Sequence, residues 1–98
     1  MHLVSRFEII VTSQEAEKIT AALDKVGVPG YTLIKDVTGK GEDGTVSDDL
    51  NFGSTELSNV FIVCYCPKQQ VEAIAEQIKP ILNKYGGVCY LSEATQIS

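Results

Sequence analysis

Gly39-Lys40-Gly41, just after a strand-like run, is a candidate anion-binding step, though a weak signal alone. Glycines let backbone N–H groups converge on an anion, and the lysine between them adds a point charge. Gly86-Gly87 offers similar backbone freedom later in the chain. Neither is a Walker A loop, which needs GxxxxGK[ST] ahead of a helix. Turn chemistry accounts for both glycine pairs without any ligand. The three cysteines are Cys64, Cys66 and Cys89, and the only histidine is His2. Cys64 and Cys66 stand two apart in a strand-like run, so they share a face. Without four ligands at zinc spacing, they read as reduced core thiols. Asp48, Asp49 and Glu56 lack EF-hand spacing and read as a solvated stretch. No metal site is expected. No nucleophile stands beside a base, so no catalytic residue and no enzyme are expected.

The elements that must position these residues follow from apolar period. Residues 7–12 are β-branched and read as a strand. Thr12-Ser13-Gln14-Glu15 fits a capping box, and Ile19, Leu23 and Val26 then repeat at helical spacing over 14–26. Gly27 and Pro29 stop that helix. Residues 31–37 form a second strand, with Tyr31, Leu33, Lys35 and Val37 on one face. Asn59–Cys66 (NVFIVCYC) reads as a central strand, apolar on both faces. Pro67 suits the first turn of a helix over 68–83, where Val71, Ile74, Ile78, Ile81 and Leu82 align. Pro80 should kink or interrupt its last turn. Residues 88–93 are the last strand and 94–98 a short tail.

The order is βαβ, loop, βαβ. Two such units give an α+β, ferredoxin-like βαββαβ domain over 1–98. Helices cover only one face of its sheet, so the other face is expected to pack on other subunits. Residues 38–58 form a long loop without expected structure. Loops of this length in compact domains are usually functional or disordered.

The net charge is −5, with 44% hydrophobic and 21% charged residues. Glu42, Asp43, Asp48, Asp49 and Glu56 fall in the loop against Lys40 alone, so most of the charge sits there. An acidic chain is a poor nucleic-acid or anionic-membrane binder. No apolar run is long enough to span a membrane. The N-terminal stretch is too short and too β-branched for a signal peptide, so a cytoplasmic protein is expected.

GYTLIKDVTGKG at 30–41 and LNKYGGVCYLSEA at 82–94 carry a resemblance to the PII signalling superfamily. More narrowly the chain resembles its SbtB and carboxysome-associated PII-like group. The resemblance implies a trimer whose long T-loop, here 38–58, joins the second and third strands. It implies adenine-nucleotide binding in clefts between subunits, with bicarbonate as a co-ligand. Carried over by position, Thr32, Lys35, Gly39, Lys40 and Gly41 come from one side, and Tyr85, Gly86 and Gly87 from the other. It also implies that the T-loop engages a membrane transporter or another partner in inorganic-carbon transport or fixation. The arginines that follow GKG in SbtB-like proteins are replaced here by Glu42-Asp43-Gly44-Thr45-Val46, which favours AMP or ADP over ATP. The T-loop lacks a uridylylated tyrosine, and no TGxxGDGK loop is present. Two other readings compete: a CutA-like trimer that binds divalent metal, and a slow nucleotide hydrolase with the loop as its lid.

Overall fold

A computed structural model describes residues 1–41, 44–45 and 58–98. Strand β1 (His2–Thr12) leads into helix α1 (Ala16–Val26) and strand β2 (Thr32–Val37). Two short strands follow, β3 (Lys40–Gly41) and β4 (Gly44–Thr45). Strand β5 (Asn59–Cys66), a 3-10 turn (Lys68–Gln70), helix α2 (Val71–Tyr85) and strand β6 (Val88–Gln96) complete the chain. The main sheet is antiparallel with strand order β2-β5-β1-β6. This is the expected α+β, ferredoxin-like arrangement, with both helices on one face.

Alternation along the strands builds the core. Phe7, Ile9 and Val11 of β1 and Val60, Ile62, Cys64 and Cys66 of β5 are buried. They meet Ile19 and Leu23 of α1 and Ile74 and Ile78 of α2. Burying one such side chain is worth about 1.5–3 kcal/mol. Among the described residues the opposite face has no such cover: Ile34, Tyr65, Val88 and Tyr90 lie on it exposed.

Several expectations are corrected. Helix α1 starts at Ala16, and its cap residue Glu15 makes no side-chain capping bond. The Glu15 N–H donates instead to the Thr12 carbonyl at 2.9 Å, and its carboxylate pairs with Lys18 at 2.9 Å. Strand β1 begins at His2 and β6 continues to Gln96, because the two pair over their whole length from His2↔Gln96 to Ile10↔Val88. Helix α2 begins at Val71 and runs through Pro80 to Tyr85. The bond lost at Pro80 frees the Glu76 carbonyl on an exposed turn, where water can take it. The alternation of β2 breaks at its end. The register shifts between Lys35 and Val37, and Asp36 has φ 60. A β-bulge of this kind re-aims the strand where it enters the loop. Within the segment expected to lack structure, Lys40↔Thr45 and Gly41↔Gly44 pair antiparallel. The acidic residues expected in the long loop, Glu42, Asp43, Asp48, Asp49 and Glu56, lie outside the described residues.

Candidate functional site

Apart from Thr32, the positions implicated by sequence fall at one end of the sheet, on its two opposite edges. Ile34, Phe61, Ile10 and Val88 stand in register across β2, β5, β1 and β6. Lys35 and the start of the loop therefore lie level with Gly86-Gly87, at the far side of the same end. Three strand spacings separate the two edges, roughly 14 Å. One chain cannot bring both groups onto one small ligand. A neighbouring copy can, by placing its β6 edge against the β2 edge.

On the β2 edge, Lys35 is exposed and pairs with Val60, which points to the helices. Thr32 pairs with Val63 on the uncovered face, three residues away. It borders a shallow concavity at the other end of the sheet, with His2, Val63, Tyr65, Lys68 and Gln96. The structure thus separates Thr32 from Lys35 within one chain. Gly39 is exposed, and a β-carbon there would meet nothing within 4 Å. Its φ is not positive either. Neither backbone strain nor crowding in this chain requires a glycine at 39. Lys40 and Gly41 form β3 of the small hairpin.

The β6 edge is different. Tyr85 ends α2, and its ring carries Lys18 Nζ at 4.7 Å and Lys84 Nζ at 5.2 Å from the centroid. The Lys18 contact ties the end of α2 to α1, whereas Lys84 belongs to α2 itself. Lys18 also donates to Glu15, and that hydrogen bond raises its ammonium pKa above the ordinary value. Gly86 takes φ 92, ψ 172, and its N–H donates to the Leu82 carbonyl at 2.8 Å. That amide is spent, so the expected anion cradle is not formed by Gly86. Gly87 has φ 116, and a β-carbon on it would lie 2.8 Å from both the Ile10 carbonyl oxygen and Val11 Cγ1. Packing against β1 therefore demands this glycine, whatever a ligand requires.

Two features were missed by sequence reasoning. Asn59 opens β5 beside Thr12 and Val37 and is 1% exposed, yet neither amide atom has a partner. A buried amide without partners is costly, so it stands out at this end of the sheet. Only its position at the strand start hinted at it. The second lies on the uncovered face. Arg6 Nη2 meets Glu8 Oε2 at 2.7 Å, and Arg6 Nη1 donates to the Tyr65 hydroxyl at 2.8 Å. The i, i+2 spacing of Arg6 and Glu8 puts both on one face.

The cysteines behave as core residues. Cys64 and Cys66 are buried and Cys89 is half-buried; all are free thiols. Burial pushes the Cys64 thiol up to about 11, with the neighbouring Cys66 adding to it. Burial alone pushes Cys89 up to about 11, and Cys66 is also raised. Such thiols are poor nucleophiles and poor metal ligands. Among the described residues, no group of three His, Cys, Asp or Glu side chains could hold a metal ion. No helix among them is long and apolar enough to cross a membrane.

Comparison with known families supplies the frame for this geometry. The profile of the nitrogen regulatory protein P-II family matches residues 4–98. The chain belongs to the P-II family. No curated protein sequence matches it. Among solved structures it is similar to CPII, a nitrogen regulatory PII-like protein from Thiomonas intermedia K12. Against CPII bound to ADP, AMP and bicarbonate, the TM-score is 0.84 at 26% identity, over 97% of this chain and 89% of that chain. Against CPII bound to ADP and bicarbonate it is 0.82 at 25% identity, over 97% and 89%. The apo form of CPII shares the fold at 0.76 and 24% identity, over 97% and 92%.

Proposed function

We propose that this P-II family chain is a regulatory protein that binds AMP or ADP, together with bicarbonate, in clefts between adjacent copies of a homotrimer. P-II homologues are trimeric, and the uncovered sheet face of this chain offers the surface for such an assembly. The observation that carries the reading is the placement of the two half-sites. They stand at the same end of the sheet on opposite edges, so only a neighbour can complete a cleft. The similarity to CPII, in complexes with ADP, AMP and bicarbonate, supports the ligand class.

In this reading Lys35, Gly39, Lys40 and Gly41 face the phosphates from one subunit, while Thr32 lies farther along the same β2 edge, toward the other end of the sheet. Tyr85, Gly86 and Gly87 shape the opposing wall. Asn59 adds an unmet donor and acceptor at the same end. The protein performs no catalysis and works in the cytoplasm. Its T-loop over 38–58 changes contacts with ligand and engages a partner, such as a transporter or a carboxysome-related protein, in inorganic-carbon transport or fixation. In this reading the chain is nearest the SbtB and carboxysome-associated group.

Thermal unfolding with ADP or AMP, with and without bicarbonate, tests the reading. A ligand at 100 times its Kd should stabilise by about 2.7 kcal/mol per site. An intact trimer that shows no shift at millimolar nucleotide refutes it. Stabilisation by Cu²⁺ or Zn²⁺ instead would favour the metal-binding alternative.

A further inference from the structure

The uncovered sheet face carries Arg6 and Glu8 at its middle and is mostly apolar around them, with Thr32 and Ser92 also on it. Around them lie Ile10, Ile34, Phe61, Val63, Val88 and Tyr90, all on the same side by register. Arg6 and Glu8 retain about a third of their side-chain exposure, 32% and 34%. Covering this face with another protein surface would strip water from both charges. A buried ion pair contributes little to stability unless its remaining donors and acceptors are met, but it can fix register and partner choice.

Within one chain the pair is only partly met. The guanidinium spends Nη2 on Glu8 and Nη1 on Tyr65, while Nε is buried with no acceptor. The Glu8 contact uses Oε2 and leaves Oε1 free. Each Nη carries a second N–H, so two guanidinium donors and one carboxylate oxygen remain for a neighbour on the same strand face. That remainder is complementary to a second copy of itself. In a closed ring each chain can offer its arginine to one neighbour and its glutamate to the other.

We infer that Arg6 of one copy pairs with Glu8 of the next, and that this exchange selects identical chains for the assembly. The inference rests on the homotrimer proposed above. Its occupant is a second copy of this chain, because the apolar surround is suited to burial and the charge remainder is self-complementary. A foreign partner would have to set an acid against Arg6 and a base against Glu8, which a second copy supplies with the same two residues.

The test is a charge swap. The double variant R6E/E8R keeps an ion pair within each chain and between like chains. Against the unmodified chain it sets arginine on arginine and glutamate on glutamate, which is strongly disfavoured. The two chains, distinguishable by mass, are unfolded together, refolded and analysed by native mass spectrometry. Random mixing would put about three quarters of the trimers in mixed rings, by simple combination of two chains in a three-membered ring. The inference expects mixed rings to be depleted at least tenfold. Statistical mixing overturns it, because the pairs then stay within their own chains. An unmodified chain that runs as a monomer overturns the trimer itself, which is a separate result. Should the double variant fail to fold, Glu8→Gln serves. Subunit exchange between labelled and unlabelled Glu8→Gln trimers should run at least tenfold faster than for the unmodified chain; an unchanged rate overturns the inference.

Discussion

Replacing Gly87 by alanine should cost much more stability than the same change at Gly86. At Gly86, with φ 92 and ψ 172, the new methyl meets nothing within 4 Å. The only cost is backbone strain in a region kept almost entirely for glycine, about 1–3 kcal/mol. At Gly87, with φ 116, the same kind of strain applies. The methyl also meets the Ile10 carbonyl oxygen and Val11 Cγ1 at 2.8 Å and Leu82 Cδ2 at 3.0 Å. The carbonyl belongs to β1, held in the ladder on both sides, and cannot swing away as a side chain can. Overpacking adds about 1–3 kcal/mol. The expected loss is therefore about 2 kcal/mol for Gly86→Ala and about 4 kcal/mol for Gly87→Ala. For a domain of this size each kcal/mol moves Tm by about 4–8 °C. Urea unfolding followed by far-UV circular dichroism reads the difference. Protein concentration must be held fixed, because assembly contributes to apparent stability. Equal losses in the two variants would refute the close approach of Gly87 to β1. The contrast also sets which variant can report on ligand: Gly86→Ala keeps the packing, whereas a valine at 87 would break the fold before it blocked a nucleotide.

Three further outcomes follow from the described geometry. Lys40→Ala should weaken ADP binding at least tenfold in calorimetry and leave the oligomer unchanged, since a charge-assisted bond to phosphate is worth about 1.5–3 kcal/mol; unchanged affinity would reduce Gly39-Lys40-Gly41 to a turn. Alkali should destabilise the protein through Cys64, whose folded thiol holds its proton up to about 11 while the unfolded thiol loses it near 9.0. Its contribution is intact below pH 9 and falls as pH rises to 11, by up to about 2.7 kcal/mol; Cys64→Ala should flatten the profile of urea midpoints, and an unaltered slope would count against the buried thiol. Asn59→Leu should raise ligand-free stability by about 1–3 kcal/mol, because it removes an amide that is buried without partners; a lower melting temperature would show that the amide is satisfied in the assembled protein.

The order of elements was legible because its signals are local. The β-branched run at 59–66 and the spacing of Ile74 and Ile78 need no knowledge of distant residues. What escaped was set by pairing across the fold. His2, Ser5 and Arg6 carry no strand pattern of their own, and they are extended because β6 runs beside them. Alternation along 31–37 gave no hint of the bulge at Asp36, which the loop junction imposes. Pro80 suggested a break, but an exposed turn tolerates the lost bond. At the candidate site, glycine spacing pointed to one end of the sheet. It could not separate the duties of three glycines: Gly39 is open, Gly86 spends its amide on Leu82, and Gly87 is pressed against β1. Those differences arise from tertiary approach. Asn59 and the Arg6–Glu8 pair were overlooked for the same reason, since only the packed sheet shows which polar groups are left unmet.

The proposed cleft, with its two walls on opposite edges of the sheet, has a genetic consequence. A chain damaged only on its β2 edge and a chain damaged only on its β6 edge would each assemble into rings with every cleft defective. Expressed together, they would build mixed rings in which an intact β2 edge of one meets an intact β6 edge of the other. Two inactive alleles would then complement each other, and regulation would return without any unmutated copy in the cell.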